Sequence, residues 1–246
     1  MTMSRFMVNS ISSNTVGDKH TQVSYFTATN TPSLETPQHT VFDSSNMSRD
    51  CIRRHIRQQR NALSHTEQQQ LATTACQHLL AEIVARKATK VALYLAFDGE
   101  LSTQPLIDAL WQQNIAVYLP RIHPFAKGHL LFVHYTPSTP MVHNRFNIAE
   151  PKLDVRRIVT SSHLDMIVTP LVAFDVHGNR MGMGGGFYDR TLVQIKANNP
   201  IAIGYAHDCQ QVSQVPTQYW DIPLPLLFTP TKRIASSHLR DTHNNN

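Results

Sequence analysis

VALYLAFDGELSTQPLIDALWQQNIAVYLP, residues 91–120, decides the fold. VALYLAF (91–97) is a short apolar, partly β-branched run of the kind that forms a buried strand. Ser102 or Thr103 followed by Pro105 marks a helix start, because proline fits a first turn in which no backbone N–H is needed. Leu106, Leu110 and Trp111 then give that helix an apolar face, and IAVYLP (115–120) reads as the next strand.

The same alternation extends downstream. HLLFVHY (129–135) reads as a third strand, DMIVTPLVAF (165–174) as a further apolar segment, Phe187 to Lys196 as a helix, and IAIGYA (201–206) as a strand. Strands separated by helices predict an α/β fold, a three-layer α/β/α arrangement around a mainly parallel sheet. Segment 136–164, with its prolines, asparagines and basic residues, reads as a connection over the surface.

Upstream, RDCIRRHIRQQRNAL (49–63) has helical spacing, with Ile52, Ile56 and Leu63 on one face. Arg49, Arg53, Arg57 and Arg60 form a second stripe beside it. That stripe is either a solvated basic face or a set of guanidinium groups reaching a bound anion. Ser64 with Glu67 is a capping box, and Leu71, Ala75, Leu79 and Ile83 make the next helix structural. Residues 1–46, rich in Ser, Thr and Asn, are expected to be a disordered extension, 47–232 the folded domain, and 233–246 a flexible tail.

Composition narrows the class. No run approaches the ~18 apolar residues of a membrane helix, and the N-terminus has no secretory apolar core. Cys51, Cys76 and Cys209 form no CxxC pair, which points away from disulfides and structural zinc and towards a reducing cytoplasm. The histidines lack metal-binding spacing, and no GxSxG nucleophile motif occurs. A net charge of +5 suits an anionic partner, whether nucleic acid, nucleotide or polyanionic metabolite.

Of nine glycines, five fall in HGNRMGMGGGFYDR (177–190), between a predicted strand and a predicted helix. Backbone N–H groups there can meet phosphate oxygens with no Cβ in the way. Arg180 adds a bidentate donor and Asp189 a hard oxygen for Mg²⁺. The run matches neither a P-loop nor GxGxxG, so a tight connection that binds nothing remains the alternative.

FDVHGNRMGMGGGFYDR (174–190) resembles the signature of the 5-formyltetrahydrofolate cyclo-ligases, also called 5,10-methenyltetrahydrofolate synthetases. RDCIRRHIRQQRNALS (49–64), YLAFDGELST (94–103) and NRFNIAEP (144–151) resemble further segments of that family, in order, so the likeness spans about 49–229. It implies a single-domain Rossmann-like scaffold, of the isomerase and CoA-transferase kind. It also implies an ATP- and Mg²⁺-dependent closure of 5-formyltetrahydrofolate to the 5,10-methenyl form through a phosphorylated formyl group.

By this resemblance Arg49, Arg53, Arg180, Met181, Gly182, Met183, Gly184, Gly185, Gly186, Phe187 and Tyr188 contact ATP. Leu95, Glu100, Met183, Gly184, Gly185, Gly186 and Phe187 border the folate, and Asp189 and Asp221 hold Mg²⁺. A further aspartate that often follows Asp221 is Pro225 here, and no protein nucleophile is implied. The expected protein is a cytoplasmic monomer with small-molecule substrates and neither a nucleic-acid nor a membrane partner. An isomerase acting on sugar phosphates and a basic nucleic-acid module are the competing readings.

Overall fold

The computed structural model describes residues 41–195 and 199–236. Helices α1 (Arg49–Ala62) and α2 (His65–Ala85) lead into β1 (Lys90–Ala92), α3 (Gln104–Gln112), β2 (Ala116–Ile122) and β3 (Leu130–Tyr135). Strands β4 (Met141–His143), β5 (Ala149–Pro151), β6 (Ile158–Val159), β7 (Met166–Thr169), β8 (Ala173–Phe174) and β9 (Arg180–Met181) follow. The chain continues through α4 (Phe187–Leu192), β10 (Ile201–Tyr205), β11 (Leu226–Phe228) and β12 (Arg233–Ala235).

Eight strands form one sheet in the order β12-β11-β10-β7-β1-β2-β3-β6. The five from β11 to β2 pair in parallel, while β12, β3 and β6 pair antiparallel at the edges. Alternation along the strands sorts side chains to two faces. Val91, Leu93, Val117, Leu119, Met166, Val168, Ile203, Leu226 and Phe228 face α2 and α3. Ala92, Ile167, Ala202 and Leu227 face the other way, under Phe174 of β8 and Leu192 of α4. The sheet is mainly parallel and covered on both sides, as the alternating pattern predicts.

Local rules account for the helix starts. Ser64 and Glu67 form the expected capping box, with Ser64 N–H donating to Glu67 Oε2 at 2.8 Å and Glu67 N–H to Ser64 Oγ at 3.3 Å. Ile52 and Ile56 of α1 pack on Val172, Ala173, Met181, Val212 and Val215. That contact lays α1 across the β8–β9 pair and brings its arginines beside the glycine run that follows β9.

Several boundaries differ from expectation. The strand read over 91–97 ends at Ala92; after Leu93 the chain leaves the ladder, and the buried Tyr94 hydroxyl donates to the carbonyls of Leu101 and Tyr205. DMIVTPLVAF is two strands, because Pro170 has no N–H to continue the ladder. The last helix ends at Leu192, and Lys196 lies outside the described residues.

Segment 136–164 is no mere surface connection. It supplies the β4–β5 pair and the edge strand β6. The ends are also more structured than composition implied. Phe42 stacks on His55 with centroids 3.8 Å apart, and Ser44 bonds both the N–H and the carbonyl of Gln214. Arg233–Ala235 form β12 rather than tail. Residues 1–40 and 237–246, on which the expectation of disorder otherwise rests, lie outside the described residues. Among the described residues no helix is long and apolar enough to cross a membrane.

Candidate active site

From β1 the sheet is continued by β2 on one side and by β7 on the other, so the connections leaving these strands diverge. Chain reversal of this kind opens a crevice beyond the carboxyl ends of the strands. A cavity of about 410 Å³ lies there. Tyr94, Leu95, Phe97 and Glu100 line it from beyond β1, Leu119, Pro120 and Ile122 from β2, and Pro170 and Leu171 from beyond β7. Arg180, Gly182, Met183, Gly185, Gly186, Phe187, Tyr188 and Asp189 form the opposing wall. Ile148, Phe146 and Glu150 close it from the β4–β5 pair, and Phe146 meets Phe187 edge to face at 6.0 Å.

The glycine run is shaped by its backbone. Gly184 and Gly186 have φ of +98° and +65°, where a side chain is strained. A Cβ built on Gly182 would meet nothing within 4 Å, so a ligand can approach that backbone freely. The helix that follows has only six residues. Its dipole is correspondingly small, which leaves nearby side chains as the larger positive groups.

Those side chains are arginines. Arg180 Nη1 donates to Asp189 Oδ1 at 2.7 Å, while its Nε and Nη2 are buried with no partner among the described residues. Unpaired buried donors are costly, and an anion entering the cavity would satisfy them. Arg53 Nε donates to the Gly182 carbonyl at 3.0 Å and Nη1 to Asp50 at 2.6 Å. Arg49 is ion-paired with Asp221 at 2.5 Å and also bonds the Pro216 carbonyl at 2.9 Å. Asp189 Oδ1 also accepts from the Ile222 N–H at 3.4 Å, which places the Asp221 loop next to Asp189.

The stripe of four arginines is therefore neither uniformly solvated nor uniformly in the site. Arg60 is 0% exposed. Its Nε donates to the Asp98 carbonyl, Nη2 to the Asp98 carboxylate at 2.8 Å, and Nη1 to the Leu171 carbonyl at 3.3 Å. Arg57 binds the same carboxylate at 2.7 Å. These contacts hold Asp98 at φ +52° and fix the loop that presents Glu100.

Glu100 is buried, and loss of solvation, opposed by the nearby Arg60 charge, raises its pKa to about 7. Its Oε2 accepts the Phe97 N–H at 3.3 Å. Tyr188 places a buried hydroxyl, without a partner among the described residues, in this neighbourhood, its pKa held high by burial and by the Glu100 charge.

Not every residue carried over from the resemblance reaches the cavity. Met181 is 0% exposed and packs against α1, with its carbonyl committed to Val172 N–H, so its side chain belongs to the core. Arg49, Arg53, Gly184 and Asp221 lie outside the cavity wall; Arg53 is joined to it through the Gly182 carbonyl, and Arg49 and Asp221 through the Asp189–Ile222 contact. Glu150 was not picked out from the sequence. It is 5% exposed, paired with Arg121 at 3.0 Å, and accepts from Ile122 N–H and Asn144 Nδ2.

No group of three or more potential metal ligands exists among the described residues. Magnesium in general takes hard oxygen ligands and keeps several of its waters. Asp189 and Asp221 offer the right hard oxygens, although both face arginines.

This fold and cavity define an α/β protein with a cavity, flanked by arginines, at the point where its sheet reverses direction. The model of the 5-formyltetrahydrofolate cyclo-ligase family matches residues 45–230. The chain belongs to this family and is an enzyme of it. It is 51% identical over 177 residues to a 5-formyltetrahydrofolate cyclo-ligase of Escherichia coli strain K12, covering 72% of this chain and 97% of the relative. The protein of that name from Haemophilus influenzae is also 51% identical, over 72% of this chain and 94% of its own length. Among solved structures, the 5,10-methenyltetrahydrofolate synthetase of Aquifex aeolicus superposes with a TM-score of 0.67 at 28% identity, covering 80% of this chain and 96% of that one.

Proposed function

We propose that the protein closes 5-formyltetrahydrofolate to 5,10-methenyltetrahydrofolate at the expense of ATP, with Mg²⁺. One observation carries this reading. Glu100, aromatic and apolar side chains, and the arginine-flanked glycine run are walls of a single cavity. A flat heterocycle and a transferable phosphoryl group can therefore meet there.

In the reaction the formyl oxygen attacks the γ-phosphorus and ADP leaves. N10 of the folate then attacks the formyl carbon, its proton passes to solvent, and the C–O bond breaks to release phosphate. No covalent bond to the protein is needed, and positioning and charge neutralisation are the enzyme's task. Arg180 supplies two unpartnered donors for phosphoryl oxygens, and Arg53 stands over the glycine run. Glu100 can pair with the N–H edge of a pterin, which would draw its proton off, and Phe187 and Phe146 flank the ring. Mg²⁺ held by Asp189 and supported by Asp221 would neutralise charge on the phosphates.

The test is the methenyl chromophore formed from 5-formyltetrahydrofolate, ATP and Mg²⁺, with one ADP released per product. Asp189→Asn is expected to lower kcat/KM by roughly two to three orders of magnitude while the thermal midpoint stays within about 5 °C. No chromophore above the ATP-free control would refute the activity, and full turnover by the variant would refute the role of Asp189.

A further inference from the structure

Arg190 lies in α4, just beyond the glycine run, and is exposed outside the cavity wall. Its guanidinium is nevertheless enclosed. Nη1 donates to the Gly185 carbonyl at 2.8 Å. Two glycines from separate parts of the chain make room for it. Gly186 has φ +65°, and a Cβ there would stand 2.7 Å from Arg190 Nη1. Gly128, in the turn between β2 and β3, has φ +81°, and a Cβ there would stand 2.8 Å from the guanidinium carbon. Both distances are well inside non-bonded contact, so any other residue at either position would displace the guanidinium.

We propose that Arg190 is a positioning residue, which fixes the direction of the Gly185–Gly186 peptide and with it the nucleotide-binding shape of the glycine run. The inference rests on the ATP reading above. In a trans peptide the carbonyl and the following N–H point in opposite directions. Arg190 draws the Gly185 carbonyl outwards, which turns the Gly186 N–H of this trans peptide towards the cavity that both glycines line. That N–H has no acceptor among the described residues, so it is left for a phosphoryl oxygen. A flip of the peptide would break the Arg190 bond and present a carbonyl oxygen to the phosphates instead.

The β2–β3 turn takes part through the same side chain. Gly128 does not line the cavity, yet the space it leaves lets Arg190 reach the run. A lone surface arginine on a carbonyl would contribute little. An arginine for which two distant positions forgo a side chain, both at backbone angles that favour glycine, is built into the fold.

The experiment compares the wild type with Arg190→Ala, Arg190→Lys, Gly128→Ala and the double variant Gly128→Ala/Arg190→Ala. Each is measured for ADP affinity in the presence of Mg²⁺ by calorimetry, for KM towards ATP and towards 5-formyltetrahydrofolate, and for thermal midpoint. Arg190→Ala is expected to weaken ADP binding and raise KM for ATP roughly tenfold. KM for the folate should stay within about twofold and the midpoint within about 3 °C. Arg190→Lys, which can still donate to the carbonyl, should recover most of the loss. Gly128→Ala should reproduce the loss with every charge in place, which separates positioning from simple attraction. Combining it with Arg190→Ala should change neither constant further. The proposal is overturned if ADP affinity survives Arg190→Ala, if both KM values rise together, or if the effects of the two substitutions multiply. A wild type that neither binds ADP nor forms product sinks the ATP reading and this inference with it. An active wild type with an indifferent Arg190→Ala removes the role of Arg190 alone.

Discussion

Glu100 shows how one buried side chain ties stability to pH. A carboxyl whose pKa is raised by folding, here from 4.5 to about 7, binds extra proton in the folded state between those values. Stability from this group is therefore full below about 4.5 and falls as pH rises through about 7. Removing the charge with Glu100→Gln should shift the balance in the variant's favour between pH 5 and 8, by at most on the order of 3 kcal/mol. The check is the difference between wild-type and variant unfolding free energies at each pH. His207 titrates in the opposite sense, its pKa lowered by burial to about 4, and that contribution cancels from the difference. A pH-independent difference would show that Glu100 is solvated. If turnover of the variant drops as well, the carboxylate serves the ligand in addition.

Among the elements, α1 does the most to build the site, and it does so through Arg60. Three backbone and carboxylate acceptors from two other segments converge on this one guanidinium. Arg60→Met is expected to cost about 3 kcal/mol in urea unfolding, because the acceptors lose their donor inside the protein. Arg57→Met, on a half-exposed side chain, should cost under about 1 kcal/mol. The sequence made α1 and α2 legible because helical period and capping are local properties. It could not say which arginine of the stripe turns inward, since that depends on where the Asp98 loop lies after folding. Glu150 stood in the quoted segment NRFNIAEP, but its place in the cavity wall was hidden for a similar reason. Its burial exists only because the β4–β5 pair folds against β2, an arrangement that the Pro- and Asn-containing segment does not advertise. The glycine run was readable from composition alone, but its helix was overestimated, and the arginines are left with more of the anion's charge to balance.

Across the whole molecule, the reversal of the sheet sets where the cavity opens, and the packed body sets where the chain can be cut. The family match begins at residue 45 and the described contacts begin with Phe42. Removing residues 1–40 is therefore expected to leave kcat and KM within about twofold, since no described side chain of the site is lost. Starting the chain at Met47 also removes Phe42 and Ser44, and should lower stability by about 2 kcal/mol through lost apolar contact. Thermal unfolding and turnover of the two truncations check this, and equal stability would show the Phe42 segment to be dispensable. The pairing of Asp189 with Arg180 and of Asp221 with Arg49 has a last consequence. On the proposed reading the ligand-free enzyme keeps its acids occupied by its own cations. A divalent ion arriving alone finds no surplus negative potential, whereas one escorted by a triphosphate gives the guanidinium groups a richer anion to turn to. On that reading, sensitivity to magnesium would be conferred by the nucleotide, and the resting protein would ignore the ion.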